Sequence, residues 1–233
     1  KYSKLSSQKI REILTLFLKD FTATQTAEIL EISRNTINRY YNIFREEIVR
    51  ISIEESRTFG KEFWEFEVDE SYFWARRVRG KRWRWAAWKT PVFGLLKRNW
   101  NVYVTIVPDC SRDSLMPIIQ GKVLEWSTVN SDGWTSYDGL ILNGYEHYRV
   151  FHSKNEFARG KNHVNGIESF WSFAKRRMGK LNWIRADKFH LHLKECEFRY
   201  GSKPVDGICL PNILAPWREK LSIGKNHEFE MQK

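Results

Sequence analysis

The sequence predicts an α/β domain with a mixed five-stranded sheet and flanking helices, preceded by a small all-α unit. Three observations carry that expectation. Apolar residues recur at helical spacing through the first fifty positions. The period then switches to that of strands in three consecutive segments. Beyond residue 111, helical and extended segments interleave down to Tyr200. With 233 residues, 42% of them hydrophobic and 15% aromatic, the chain can bury a core for one full domain and a smaller one.

The charge balance narrows the partner. Lys and Arg number 39 against 28 Asp and Glu, a formal charge of +11, which favours a polyanion, nucleic acid foremost. The chain has neither a run of eighteen apolar residues nor a signal-peptide pattern, so a soluble, cytoplasmic protein is expected. Cys110, Cys196 and Cys209 are scattered and odd in number, which argues against a disulfide framework or a zinc ribbon.

In chain order, Ile10, Ile13, Leu14, Phe17 and Leu18 mark a helix over 6–20, and a second covers 22–30. Ser33 is a natural N-cap for a third. In it Ile37, Tyr40, Tyr41, Phe44 and Ile48 turn inward, while Arg34, Asn35, Asn38 and Arg39 turn outward. That is a helix-turn-helix pattern, with side chains suited to base edges and phosphates at the front of its last helix. Residues 51–62 read as a helical or flexible linker between a 1–50 DNA-binding domain and a 63–200 catalytic domain, and 201–233 form a tail.

The strand over 65–73 contains Asp69, and a carboxylate inside a strand requires a reason. Asp69 is the first catalytic candidate. Between residues 71 and 108 no acid occurs, while Arg76, Arg77, Arg79, Lys81, Arg82, Arg84, Lys89, Lys97 and Arg98 accumulate, interleaved with Trp83, Trp85 and Trp88. Arg76, Arg77, Lys81, Arg82 and Arg84 are the expected DNA contacts of this segment. Two further strands, 91–97 and 101–107, complete an antiparallel meander, and a helix over 112–124 crosses to a strand over 127–131. Asp132 ends that strand, at the edge where open α/β sheets place their ligands.

A strand over 145–151 leads to a helix over 162–180, and a last helix covers 186–200. On the 162–180 helix Asn165, Glu168, Ser172 and Lys175 share a polar stripe, Ile167, Phe170, Trp171, Ala174 and Met178 an apolar one, and Lys175, Arg176, Arg177 and Lys180 make a cationic end. The expected order is β-β-β-α-β-α-β-α, a ribonuclease H-like arrangement. Three carboxylates without clustered Cys or His suit Mg²⁺ or Mn²⁺, two ions per site, with Asp69, Asp132 and Glu168 as ligands. Asp109, Asp138 and the histidines His147, His152, His190 and His192 read as structural; His163, near Glu168, is a candidate phosphate contact.

Asp69 in VDESYF, Asp132 in SDGW and Glu168 in NHVNGIESFWSFAKRR, with thirty-five residues between the last two and Lys175 seven after the Glu, resemble the DDE motif of bacterial insertion-sequence transposases. PVFGLLKRN and LKECEFRY extend the likeness, within that group, to the ISXO-like branch. The resemblance implies hydrolysis at transposon ends, then attack of the freed 3′-OH on target DNA, by a homodimer or larger assembly on inverted repeats, with Lys175 beside the terminal bases or phosphates. It also implies a bacterial cytoplasm. Some members carry Asn as the third residue, and Asn165 stands in that place one turn before Glu168; Glu168 is favoured because an anion neutralises a cation. The alternatives are a non-cutting DNA-binding derivative and a stand-alone nuclease of the same fold. Finally, eleven tryptophans are far more than ordinary usage. Where relatives have glycine, this chain has Trp83, Trp85, Trp88 and Trp100, and also Trp64, Trp74 and Trp183. UGA codons read as glycine at source would explain the pattern; genuine indoles stacking on DNA would be the rival.

Overall fold

The computed structural model describes residues 5–73, 89–98, 101–132, 135–150, 164–181 and 184–201. Two compact units are present, divided after Ile51.

In the first unit, α1 (Ser7–Leu18) begins at Ser6, whose hydroxyl accepts the Lys9 amide, and α2 (Ala23–Leu30) begins at a full capping box between Thr22 and Gln25. Both caps answer amides that would otherwise lack partners in a first turn. α2 ends at Glu31, which takes a left-handed conformation (φ +55°), and α3 (Arg34–Ser56) starts three residues later. Ile10, Ile13, Leu14 and Phe17 are buried, as are Ile37, Tyr40, Tyr41, Phe44 and Ile48. Phe17 meets Tyr41 edge-on at 4.9 Å. The Tyr41 hydroxyl donates to the Phe21 carbonyl (3.0 Å), so at 2.6 Å it accepts from Thr26. α3 runs on through the expected linker to Ser56.

The second unit is built on one sheet of order β3-β2-β1-β4-β5. β1 (Glu65–Phe73), β2 (Thr90–Lys97) and β3 (Asn101–Ile106) form the antiparallel meander; β4 (Thr128–Asp132) lies parallel to β1, and β5 (Glu146–Val150) parallel to β4. The crossover from β3 to β4 is α4 (Arg112–Lys122), and α5 (Asn165–Gly179) and α6 (Phe189–Gly201) follow β5. The expected alternation fails at one place: among the described residues between β4 and β5 stand two single 3₁₀ turns, Thr135–Tyr137 and Ile141–Asn143, and no α-helix. Gly139 between them and Gly144 after them (φ +79°) suit tight turns better than a helix.

Period-2 alternation sorts β1 onto two cores. Phe66 and Val68, with Phe93 and Leu95 of β2, face Leu115, Met116 and Ile119 of α4 and Tyr137. Phe73, Val92 and Leu96 face Ile167, Phe170, Trp171 and Ala174 of α5 and Leu193 and Cys196 of α6. Each fully buried phenylalanine, such as Phe66, Phe93 or Phe170, contributes about 1.5–3 kcal/mol. Asp69 and Glu67 lie on the α5 side of the strand.

Candidate active site

β1 and β4 run side by side with Val68 opposite Ser131. One residue further along each strand this register brings Asp69 beside Asp132. Above them lies α5, whose Trp171 indole N–H donates to Asp69 Oδ2 at 3.0 Å. Gly94, opposite Asp69 on β2, makes that approach possible: a Cβ there would stand 2.6 Å from the Trp171 ring and 2.9 Å from Ile167 Cδ1. Glu168, three residues before Trp171, lies on the exposed side of α5 together with Asn165, Ser172 and Lys175, while the apolar stripe expected from the sequence is buried.

The electrostatics of this corner are strained. Burial first, then the negative charges of Glu70, Asp132 and Glu168, push the Asp69 carboxyl up to about 7. Glu70, on the other face of β1, is raised to about 7 chiefly by burial, and Asp132 adds to it; the Tyr137 hydroxyl, donating at 2.5 Å, works the other way. The three sequence candidates therefore share one electrostatic field. They do not form a closed cage: among the described residues no three Asp, Glu, His or Cys side chains stand together as a ready metal site. The donor set is nonetheless all-oxygen and carries mutually repelling carboxylates, which suits a hard cation such as Mg²⁺ or Mn²⁺. Lys175, one turn beyond Trp171, places its ammonium 5.8 Å from the centre of the Phe73 ring.

One cation expected at the DNA, and two more from the basic run, are used inside the protein. Arg177 is the main correction: it is 7% exposed and pairs with the fully buried Glu195 at 2.5 Å, joining α5 to α6. Arg199 bonds the same carboxylate at 2.8 Å. Burying a guanidinium beside a carboxylate avoids an uncompensated charge, and a helix face that packs on α6 leaves Arg177 no route outward. Lys97 pairs with Glu62 at 3.0 Å, and Arg98 bonds Glu65 and Glu67, so neither is a free member of the basic run. Arg176 is exposed, as are Arg34, Asn35, Asn38 and Arg39 at the start of α3. Arg76, Arg77, Lys81, Arg82, Arg84 and His163 lie outside the described residues, as do Trp74, Trp83, Trp85, Trp88, Trp100 and Trp183.

Other singled-out residues have local duties. Asp109 accepts the Ser111 amide and Ser114 hydroxyl ahead of α4, and Asp138 pairs with Arg149. His147 sits 2.7 Å from the Ser131 hydroxyl, and burial lowers it to about 4. Two participants escaped the sequence reading. Trp171 reads as one more apolar residue of a stripe, and nothing in its spacing marks the bond to Asp69. Glu67 shares its face with Asp69 at period 2, and that spacing was the available signal.

Residues 65–201 match the family profile of the ISXO2-like transposase domain. The chain belongs to that family. This makes it an insertion-sequence transposase of the DDE class and ISXO-like branch, and its sheet with helices on both faces is the ribonuclease H-like core of such enzymes. A relative from Haemophilus influenzae (strain Rd), described as an uncharacterized transposase-like protein, is 41% identical over 104 residues, covering 45% of this chain and 84% of the relative. Among solved structures, the Mos1 transposase paired-end complex with left transposon end is 13% identical, covers 87% of this chain and 74% of that one, and superposes with a TM-score of 0.36. The Mos1 strand transfer complex is 14% identical, covering 87% and 82% at a TM-score of 0.30. Likeness at that level carries no weight for this transposase. No helix among the described residues is long and apolar enough to cross a membrane.

Proposed function

We propose that this transposase binds terminal inverted repeats and carries out metal-dependent strand cleavage followed by transfer of the 3′-OH to target DNA. The observation that supports it best is the shared field of Asp69, Asp132 and Glu168 at one end of the β1–β4 pair, beneath α5. In this reading those three carboxylates hold two divalent cations, Mg²⁺ or Mn²⁺, with Asn165 as the alternative to Glu168. When bound, such ions supply an activated nucleophile and charge stabilisation at the leaving oxygen. The chain's own groups do the rest: Trp171 fixes the Asp69 rotamer, and exposed Lys175 and Arg176 on α5 hold the terminal phosphates. The three-helix unit acts as a helix-turn-helix, with Arg34, Asn35, Asn38 and Arg39 reading the repeat in the major groove. Cleavage at paired ends calls for a homodimer or larger assembly on DNA, and the working compartment is the bacterial cytoplasm.

The test is cleavage of a duplex carrying one transposon end, in Mg²⁺ and in Mn²⁺. Asp132→Asn and Glu168→Gln should each cost a thousandfold or more in rate, while Asn38→Ala should cleave but lose its preference for the repeat by about 1–3 kcal/mol per contacted base pair. Wild-type cleavage by Asp132→Asn would end the catalytic assignment. Unchanged cleavage by Glu168→Gln with loss in Asn165→Ala would move the third position to Asn165.

A further inference from the structure

The first inference concerns how Glu168 is held against Asp69, and it rests on the catalytic reading just given. Glu67 is 1% exposed, yet its carboxylate has specific partners. Its Oε2 accepts the backbone N–H of Ile167, in the first turn of α5, at 3.0 Å, and its Oε1 accepts from Arg98 Nε at 3.3 Å. A buried anion at a helix N-terminus answers both an orphan amide and the positive end of the helix dipole. The helix can come this close because residue 166 is glycine: a Cβ there would stand 2.9 Å from Glu67 Oε2 and 3.1 Å from Leu96 Cδ2. One turn further on, α5 meets the same strand face again, through Trp171 and Asp69.

We propose that Glu67 is a positioning residue that locks the first turn of α5 to β1 and so sets the register between Glu168, the next residue after Ile167, and Asp69, two residues beyond Glu67. Two hydrogen bonds from one strand to one helix, four residues apart on the helix and two on the strand, fix both rotation and rise. Arg98 pairs with the other oxygen of Glu67 and holds the carboxylate aimed at α5. A site whose carboxylates repel one another needs such an outside constraint, because their own interaction drives them apart.

The experiment uses the full chain with Glu67→Ala and Glu67→Gln, on the same end-bearing duplex, over a Mn²⁺ titration. Glu67→Ala should cleave at least tenfold more slowly, with half-maximal rate at several-fold higher Mn²⁺ and unchanged DNA binding. Glu67→Gln keeps an amide oxygen for Ile167 and should recover most of the loss. In metal-free protein the Ile167 amide should exchange at least tenfold faster in Glu67→Ala than in the wild type, and not in Glu67→Gln. If Glu67→Ala does not fold, Gly166→Ala, whose methyl displaces the carboxylate, is measured in the same way. Wild-type metal dependence and Ile167 protection in folded Glu67→Ala, or in Gly166→Ala where it takes its place, overturns the lock. The exchange readout is independent of catalysis, so it stands or falls apart from the carboxylate assignment, which Asp132→Asn tests.

A different observation carries a second inference. Trp126 stands at φ +71°, in the turn before β4, with its amide donating to the Gly144 carbonyl at 2.7 Å. Among the described residues Gly60 and Gly144 share that region, and otherwise only Asp20 and Glu31 do. A bulky side chain there costs on the order of 1 kcal/mol or more, and this indole is 75% exposed, so burial offsets little of that cost. Trp171 is the contrast: 5% exposed and hydrogen-bonded to Asp69. We infer that position 126 is glycine in the protein as its source makes it, specified by a UGA codon that the source reads as glycine. The codon and the native peptide decide. UGA at 126 with UGG at 171, and a tryptic peptide mass showing glycine at 126, are expected; UGG at 126, or a native peptide containing tryptophan there, overturns the inference.

Discussion

Asp69→Asn is expected to abolish strand cleavage and strand transfer, by a thousandfold or more, and at the same time to melt above the wild type in metal-free buffer. The two effects share one cause. The Asp69 carboxylate is held by burial and by the charges of Glu70, Asp132 and Glu168 in a place where its ionised form is disfavoured, up to about 7. An amide keeps the acceptor oxygen for the Trp171 indole but removes the charge, so the fold loses a repulsion and the proposed reaction would lose a metal ligand. Because the folded carboxyl binds its proton more tightly than the unfolded one, its ionisation opposes folding increasingly as pH rises from about 4, and fully above about 7. The gain from Asp69→Asn should therefore be absent near pH 4 and reach about 1–3 kcal/mol at pH 8, a few degrees in melting temperature for a domain of this size. Mg²⁺ or Mn²⁺ should raise the wild-type melting temperature and leave Asp69→Asn nearly unmoved. A variant that melts below the wild type at pH 8 in EDTA contradicts the electrostatic account even if it is inactive.

The features that the sequence made legible are those written in periodicity. The 65–73 alternation marks β1 from end to end, and the stripe through Ile167, Phe170, Trp171, Ala174 and Met178 is the buried face of α5. Asp69 stood out because a strand interior is an unusual place for an acid. Three kinds of information were not local. The 3₁₀ turns that stand between β4 and β5, where an α-helix was expected, follow from turn geometry around Gly139 and Gly144, which no period announces. The duties of Glu67, Lys97 and Arg98 depend on partners thirty to a hundred residues away, Ile167 and Glu62 among them. Charge runs were the least reliable guide, since Arg176 and Arg177 are adjacent and indistinguishable in composition, yet one is exposed and the other is 7% exposed.

That adjacency yields the sharpest contrast between neighbouring substitutions. Arg177→Ala leaves Glu195, 0% exposed, with one of its two guanidinium partners removed and the α5–α6 junction missing a buried side chain. Breaking a buried pair from one side costs about 3–5 kcal/mol, less here to the extent that Arg199 still neutralises Glu195, so a loss of about 2–4 kcal/mol and a drop of roughly 5–15 °C in melting temperature are expected. Cys196, whose thiol lies 3.9 Å from the Arg177 guanidinium, would become accessible to a thiol reagent in the same variant. Arg176→Ala removes an exposed charge one position earlier and should melt within about a degree of the wild type, because surface charges away from a packed contact change stability by about 0.5 kcal/mol or less. Its effect should appear on DNA instead: binding is expected to weaken for every sequence alike, and the slope of log affinity against log salt to fall by about 1. Arg177→Ala, wherever it stays folded, should keep the wild-type salt slope. Melting curves and salt-dependent binding of the two variants separate the roles, and an Arg177→Ala protein that melts like the wild type while losing one unit of salt slope would return Arg177 to the DNA surface.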